Sequence, residues 1–296
     1  MPVTLKTRPN AIPTSLELKL RTHCRELQVI PEVAQKAIDL VQDPDCSMPE
    51  FCNVVNEDVK LATDILSIAN SAIYATHKPA VALRQAVHRL GLRRCRNLIV
   101  ATCVASLSRT LPIPNEYVRR TLVRHGFLTA TIATELNRTL NLGFQGEEVP
   151  SGLLHDFGRM LLALSMPDEF SDIDPMTFEE DPDQLLQEEL RAGADHCAVG
   201  SWFAKYKGLP AEFVDVIRMH HQPENAKSSS RLVAVIAFAD DIANHLARQG
   251  TAFNYNVDDY PFLETLEGAG TDPDLGPAVR EIMLTAEAKA DELLQR

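Results

Sequence analysis

From Leu16 onward the apolar positions of this chain recur every three or four residues, the helical period, and no convincing period-2 strand interrupts them. Leu16, Leu18, Leu20 and Leu27 start a first helix. Pro31 opens a second, carrying Val33, Ala34, Ala37, Ile38 and Val41, and Asp43-Pro44-Asp45 stops it. Ser47 with Glu50 three residues on forms a capping box ahead of Phe51, Val54 and Val55. A helix after Asn56-Glu57-Asp58 carries Leu61, Ile65, Leu66, Ile68 and Ala69. Pro79 breaks the chain, Leu83 to Leu90 forms a short helix ended by Gly91, and a long one runs from Cys95 through Val100 and Val104 to Leu107.

Leu111-Pro112-Ile113-Pro114 reads as a joint. Beyond it Asn115 caps a long helix through Val118, Leu122, His125, Leu128, Ile132, Leu136 and Leu140, closed by Asn141-Leu142-Gly143. The next helix begins near Gly146-Glu147-Glu148 and holds Ser151 to Arg159 and the apolar run Met160, Leu161, Leu162 and Leu164. Stretch 165–183 is acidic and contains Pro, so it is expected to be a loop or lid. Helices are expected over 184–205, 210–221 and 229–247, the last capped within Ser228 to Ser230, with a terminal helix carrying Val279, Ile282, Met283 and Leu293. The fold class is all-α, with two packed helical subdomains. The expected division is a loosely held arm (1–15), a first helical subdomain (16–112), a second (113–250), and an acidic tail with its helix (251–296).

Composition narrows the partners. A net charge of −12 argues against nucleic acid, whose binding rests on Lys and Arg neutralising phosphates. Nine Arg nevertheless fall between Arg84 and Arg124 against one acid, Glu116, and this face is either a solvated helix surface or a site for an acidic or phosphate-bearing partner. The six Cys show no Cys-x-x-Cys pair and fit reduced core thiols. With no signal-peptide pattern and no long apolar stretch, a cytoplasmic protein without membrane insertion is expected.

His125, His155, His196, His220 and His221 lie at helical positions where a buried polar group needs a partner, together with Asp156 and Asp240. Imidazole and carboxylate suit iron, zinc, manganese or nickel, and an Asp can bridge two ions; helical bundles build dinuclear sites this way. Each residue also has a plainer explanation. His125 can be a hydrogen-bonded core histidine, His196 a turn residue, His220-His221 a helix C-terminal pair, and Asp240 with Asp241 a solvated pair.

The order His125, His155-Asp156, His196, His220-His221, Asp240 resembles the metal-ligand order of the HD superfamily of phosphohydrolases, most closely its HD-GYP type. Other stretches are similar to the HDOD family: Leu27 to Ala34, Asp43-Pro44-Asp45, Ile68 to Ser71, Ala86 through Gly91 to Leu98, Gly152 to Arg159, Glu189 to Gly200, and Trp202 through Pro210 to His221. The resemblance spans roughly residues 16–250.

It implies a bacterial signal-transduction module with an HD-like second bundle, regarded as having lost catalysis, that acts through contacts with signalling proteins. The implied metal ligands are the seven residues above, holding one or two divalent ions. Unlike the degenerate family pattern, this chain keeps every candidate ligand. Unlike HD-GYP enzymes, it has Gln222-Pro223-Glu224-Asn225 where Gly-Tyr-Pro would follow His221, and Arg159 in the place of a Lys. The alternative is a metal-dependent phosphohydrolase acting on a phosphoester or nucleotide. Asp156 would bridge the ions and help activate water, and Arg159 would hold the substrate phosphate.

Overall fold

Side-chain caps fix where several helices start in this computed structural model. Ser47 accepts from the Glu50 backbone N–H while the Glu50 side chain accepts from that of Ser47, completing the capping box. Asp58 accepts from Leu61 N–H, Asn115 from the N–H groups of Tyr117 and Val118, and Asp195 from that of Ala198, each satisfying donors that a helix start leaves unpaired. The structure describes residues 12–25, 27, 29–43, 45–70, 78–179, 182–252, 254–266 and 274–295. Most of the expected arm (1–11), and Gln28, Pro44, Ser71, Glu180 and Asp181 from stretches named above, lie outside these.

Among the described residues there is no strand. The helices of the first half are α1 (Thr14–Cys24), α2 (Glu32–Leu40), α3 (Met48–Val55), α4 (Val59–Ala69), α5 (Leu83–Leu90) and α6 (Leu92–Thr110). Then come α7 (Glu116–Thr139), α8 (Glu148–Leu154), α9 (Phe157–Ser165), α10 (Phe170–Ile173), α11 (Pro182–Ala192), α12 (His196–Tyr206), α13 (Ala211–Met219), α14 (Ser230–Gln249) and α15 (Leu275–Gln295).

Helix α7 is the axis of the second half and packs most extensively against α8, α14 and α15. At its crossing with α8, a Cβ added to Gly152 would lie 2.5 Å from the Cα of Ala130, so only glycine permits that approach. Helix α12 packs against α9 and α13, and a Cβ on Gly158 would sit 1.9 Å from the carbonyl oxygen of His196. The first crossing draws α8 onto α7 and the second draws α12 onto α9, which brings their polar residues together.

Much of the basic run from Arg84 to Arg124 is taken up by contacts within the chain. Arg89 donates to the carbonyls of Ala69 and Lys78, Arg93 pairs with Glu147 at 2.6 Å, and Arg124 reaches Asp291 of α15 at 2.8 Å. Arg96 meets Glu212 of α13 at 2.5 Å and so ties α6 to the site-bearing helices.

Four expectations are corrected. The helix expected over 184–205 is two, α11 and α12, because Gly193 turns at φ 88° and Asp195 caps a new start. The helix carrying Ser151 to Arg159 breaks at His155-Asp156, where Asp156 leaves helical geometry at φ −100°, ψ 11°. Stretch 165–183 is not simply a loop: it contains α10 and buries Phe170, Ile173, Asp174 and Phe178. Ser229 precedes α14 in a left-handed conformation, and its side chain makes no capping bond. At the N-terminal side, Ile12 is buried and α1 starts at Thr14, so the last residues of the expected arm are packed.

All six cysteines are unpaired, and burial pushes the Cys95 thiol up to about 12. No helix among the described residues is long and apolar enough to cross a membrane.

Candidate metal centre

The structure brings together all seven ligand candidates. His125 comes from the middle of α7, His155 and Asp156 from the break between α8 and α9, and His196 from the start of α12. His220 and His221 follow the end of α13, and Asp240 lies within α14. All are buried except His221, which is partly exposed. The plainer explanations of the individual residues do not account for this convergence, although His196 does begin a helix after a turn and His220 does cap one.

The donors form two clusters. In the first, His125 Nε2 lies 2.9 Å from Asp240 Oδ1, and His155 Nε2 lies 3.2 Å from that oxygen and 3.3 Å from His125 Nε2. In the second, His196 Nε2 lies 3.1 Å from His221 Nε2 and 3.5 Å from His220 Nε2. Asp156 stands between them. Its Oδ2 is 3.6 Å from both His125 Nε2 and His155 Nε2, while its Oδ1 is 3.3 Å from His196 Nε2 and 3.6 Å from His220 Nε2.

The far nitrogens are held from behind. His155 Nδ1 lies 2.8 Å from the Gly152 carbonyl, His220 Nδ1 3.1 Å from the Ile217 carbonyl, and His196 Nδ1 2.8 Å from Glu188 of α11. Such contacts fix ring orientation and leave Nε2 facing the centre. Glu188 did not stand out in the sequence, although its spacing from Leu185 puts a carboxylate on the buried face of α11. Cys197 is a further unpredicted neighbour, with Sγ 4.0 Å from His220 Nδ1.

The electrostatics favour anionic carboxylates. Burial opposes ionising Asp156, but His155 and Arg159 outweigh it and hold the carboxyl well below the usual range; His155 and His125 do the same for Asp240. His196 and His220 are raised against the effect of burial, chiefly by Glu188 and Cys197 respectively. Burial and the repulsion of those two imidazoles lower His221.

The residues present fit metal ions on two counts. Asp156 Oδ1 is buried with no hydrogen-bond partner, and the donor set combines imidazole nitrogens with carboxylate oxygens in two groups that share one carboxylate.

Arg159 does not stand open toward the centre. Its Nη1 donates to Asp156 Oδ2 at 2.9 Å, and its Nε and Nη2 donate to the two oxygens of Asp174 at 2.7 and 3.1 Å. Phe178 lies over the cluster, its ring 5.0 Å from that of His125 and 5.0 Å from the Arg159 guanidinium. The sequence placed Asp174 and Phe178 only within an acidic lid.

The described residues are all-helical, with buried His and Asp side chains in two groups about Asp156. The chain belongs to the HDOD family, whose domain description matches residues 27–223. An uncharacterized protein of Treponema pallidum (strain Nichols) is 21% identical over 239 residues, 77% of this chain but 46% of that protein. The chain therefore spans less than half the length of that curated relative.

Among solved structures, an HDOD domain protein of unknown function from Geobacter sulfurreducens aligns at a TM-score of 0.70 and 26% identity, over 94% of this chain and 99% of that one. A putative phosphohydrolase from Shewanella amazonensis SB2B aligns at 0.65 and 21% identity, over 97% and 100%. At that identity the second likeness shows the fold alone.

Proposed function

We propose that this chain is a regulatory module of signal transduction, acting through protein contacts and braced by a metal centre. The observation that carries the reading is a pairing. Seven ligand candidates converge with Asp156 between two clusters, while Arg159 and the face above the centre are occupied by Asp174 and Phe178 of the same chain. Such a centre fastens α7, α9, α12 and α14 together, and metal binding to a site absent from the unfolded chain adds directly to folding stability.

His125, His155 and Asp240 would hold one ion, His196, His220 and His221 the other, with Asp156 shared between them. Iron, zinc, manganese and nickel all suit these donors. The partner would be another signalling protein, recognised through the outer surface rather than through the centre.

A second reading has its own support, because a carboxylate shared between two ligand groups also suits a metal-dependent phosphohydrolase. When bound, the ions would lower the pKa of coordinated water and supply a nucleophile. Arg159 would then have to exchange Asp174 for a substrate phosphate.

Metal-loaded protein assayed against a panel of phosphodiesters and phosphomonoesters, beside Asp156→Ala, separates the two readings. The regulatory reading expects bound metal and no turnover above the variant. Turnover abolished by Asp156→Ala would overturn it in favour of the enzyme.

A further inference from the structure

Asp174 is no ligand candidate, yet it accepts from two nitrogens of Arg159, whose Nη1 donates to Asp156. Both side chains are buried at 3% exposure, and Asp174 receives Arg159 through two parallel bonds, from Nε at 2.7 Å and Nη2 at 3.1 Å. The Met176 backbone N–H also donates to Asp174 Oδ1 at 2.8 Å. From this anchor segment 174–178 runs to Phe178, whose ring lies 5.0 Å from both the His125 ring and the Arg159 guanidinium and whose carbonyl accepts from Arg248.

The strap is strained. Met176 (φ 58°) and Phe178 (φ 56°) both lie in the left-handed region, which large side chains occupy only when their surroundings enforce it. Opening would let both relax, so the latch at Asp174 works against a backbone that favours release.

A carboxylate held by two bonds on an Arg fork presents the charge and oxygen spacing with which a phosphate meets the same fork. We propose that Asp174 is an internal stand-in for a phosphate group. Arg159 is an anion subsite beside the His/Asp centre, strap 174–178 closes it, and a phosphate-bearing ligand enters by displacing Asp174 and lifting Phe178 from His125. Phosphate is favoured over a carboxylate ligand because it keeps free oxygens for the cluster after two have met Arg159. The cluster's metal occupancy rests on the reading above; the exchange at Arg159 is a property of the side chains alone.

The test is calorimetric titration of the full chain with inorganic phosphate, run on metal-loaded and on chelator-stripped protein. The expected result is that Asp174→Asn binds phosphate about tenfold tighter than the unsubstituted chain in both forms, and that adding Arg159→Gln abolishes the gain. Phe178→Gly, which suits a positive φ and so guards against a folding failure, is expected to tighten phosphate as well, and to speed hydrogen exchange over 174–178. Asp174→Asn and Phe178→Gly both within about twofold of the unsubstituted chain, in both forms, would overturn the proposal. Metal content measured on the same samples judges the metal reading separately, because the stripped-protein titrations do not depend on it.

Discussion

Glu188 holds His196 from behind, its carboxylate 2.8 Å from Nδ1, so that Nε2 of the same ring turns toward Asp156 at 3.3 Å. It also accepts from the His196 backbone N–H at 2.8 Å, locking the first residue of α12 against α11. Carboxylates in this position orient a ligating imidazole and raise its basicity.

Replacing Glu188 with Gln therefore weakens metal binding by about 10- to 100-fold with the seven ligand candidates intact. Competition against a chromophoric chelator measures the change. Equal affinity in the two proteins would mean that Glu188 serves only the fold.

The crossing of α9 and α12 has no room for a methyl group, since a Cβ on Gly158 would fall 1.9 Å from the His196 carbonyl oxygen and 2.9 Å from the Gly200 backbone nitrogen. Gly158→Ala is expected to cost about 1–3 kcal/mol of stability, as overpacking does, and to move His196 away from the centre. Thermal melts with metal analysis read both effects. A variant with unchanged melting and metal content would contradict the close approach.

Glu148 gives a pH prediction away from the centre. Burial and the neighbouring Glu147 raise its pKa above the ordinary 4.5, against the hydrogen bond from Asn137, and its Oε2 is buried without a partner. A raised carboxyl contributes stability that is full below the ordinary value and lost as pH rises through the folded-state value. Glu148→Gln removes that loss. Its melting temperature should match the parent protein near pH 4.5 and exceed it increasingly toward neutral pH. A variant less stable at pH 7 would show that the ionised carboxylate is used.

The ligand order was legible because each His or Asp interrupts an apolar helical run, where a buried polar group needs an explanation. The capping box at Ser47 and the cap at Asn115 were legible because their chemistry is local. The break at His155-Asp156 was not, since Ser151 through Leu164 keeps an unbroken helical spacing and the fracture comes from packing against α7 and α12. The roles of Glu188, Asp174 and Phe178 depend on partners 8, 15 and 53 residues away in sequence, Glu188 to His196, Asp174 to Arg159 and Phe178 to His125. No local pattern announces such pairings. The ion pairs of the basic run were hidden for the same reason: Arg93, Arg96 and Arg124 find their carboxylates at Glu147, Glu212 and Asp291, far along the chain.

The central claim is that the seven residues hold metal, with Asp156 shared between two clusters. Elemental analysis of the full chain, purified without chelator, supplemented with iron, manganese, zinc or nickel and then desalted, tests it most directly. The expected result is about one to two ions per chain, falling to about one or fewer in Asp156→Ala. Less than about a tenth of an ion per chain with every metal would contradict it.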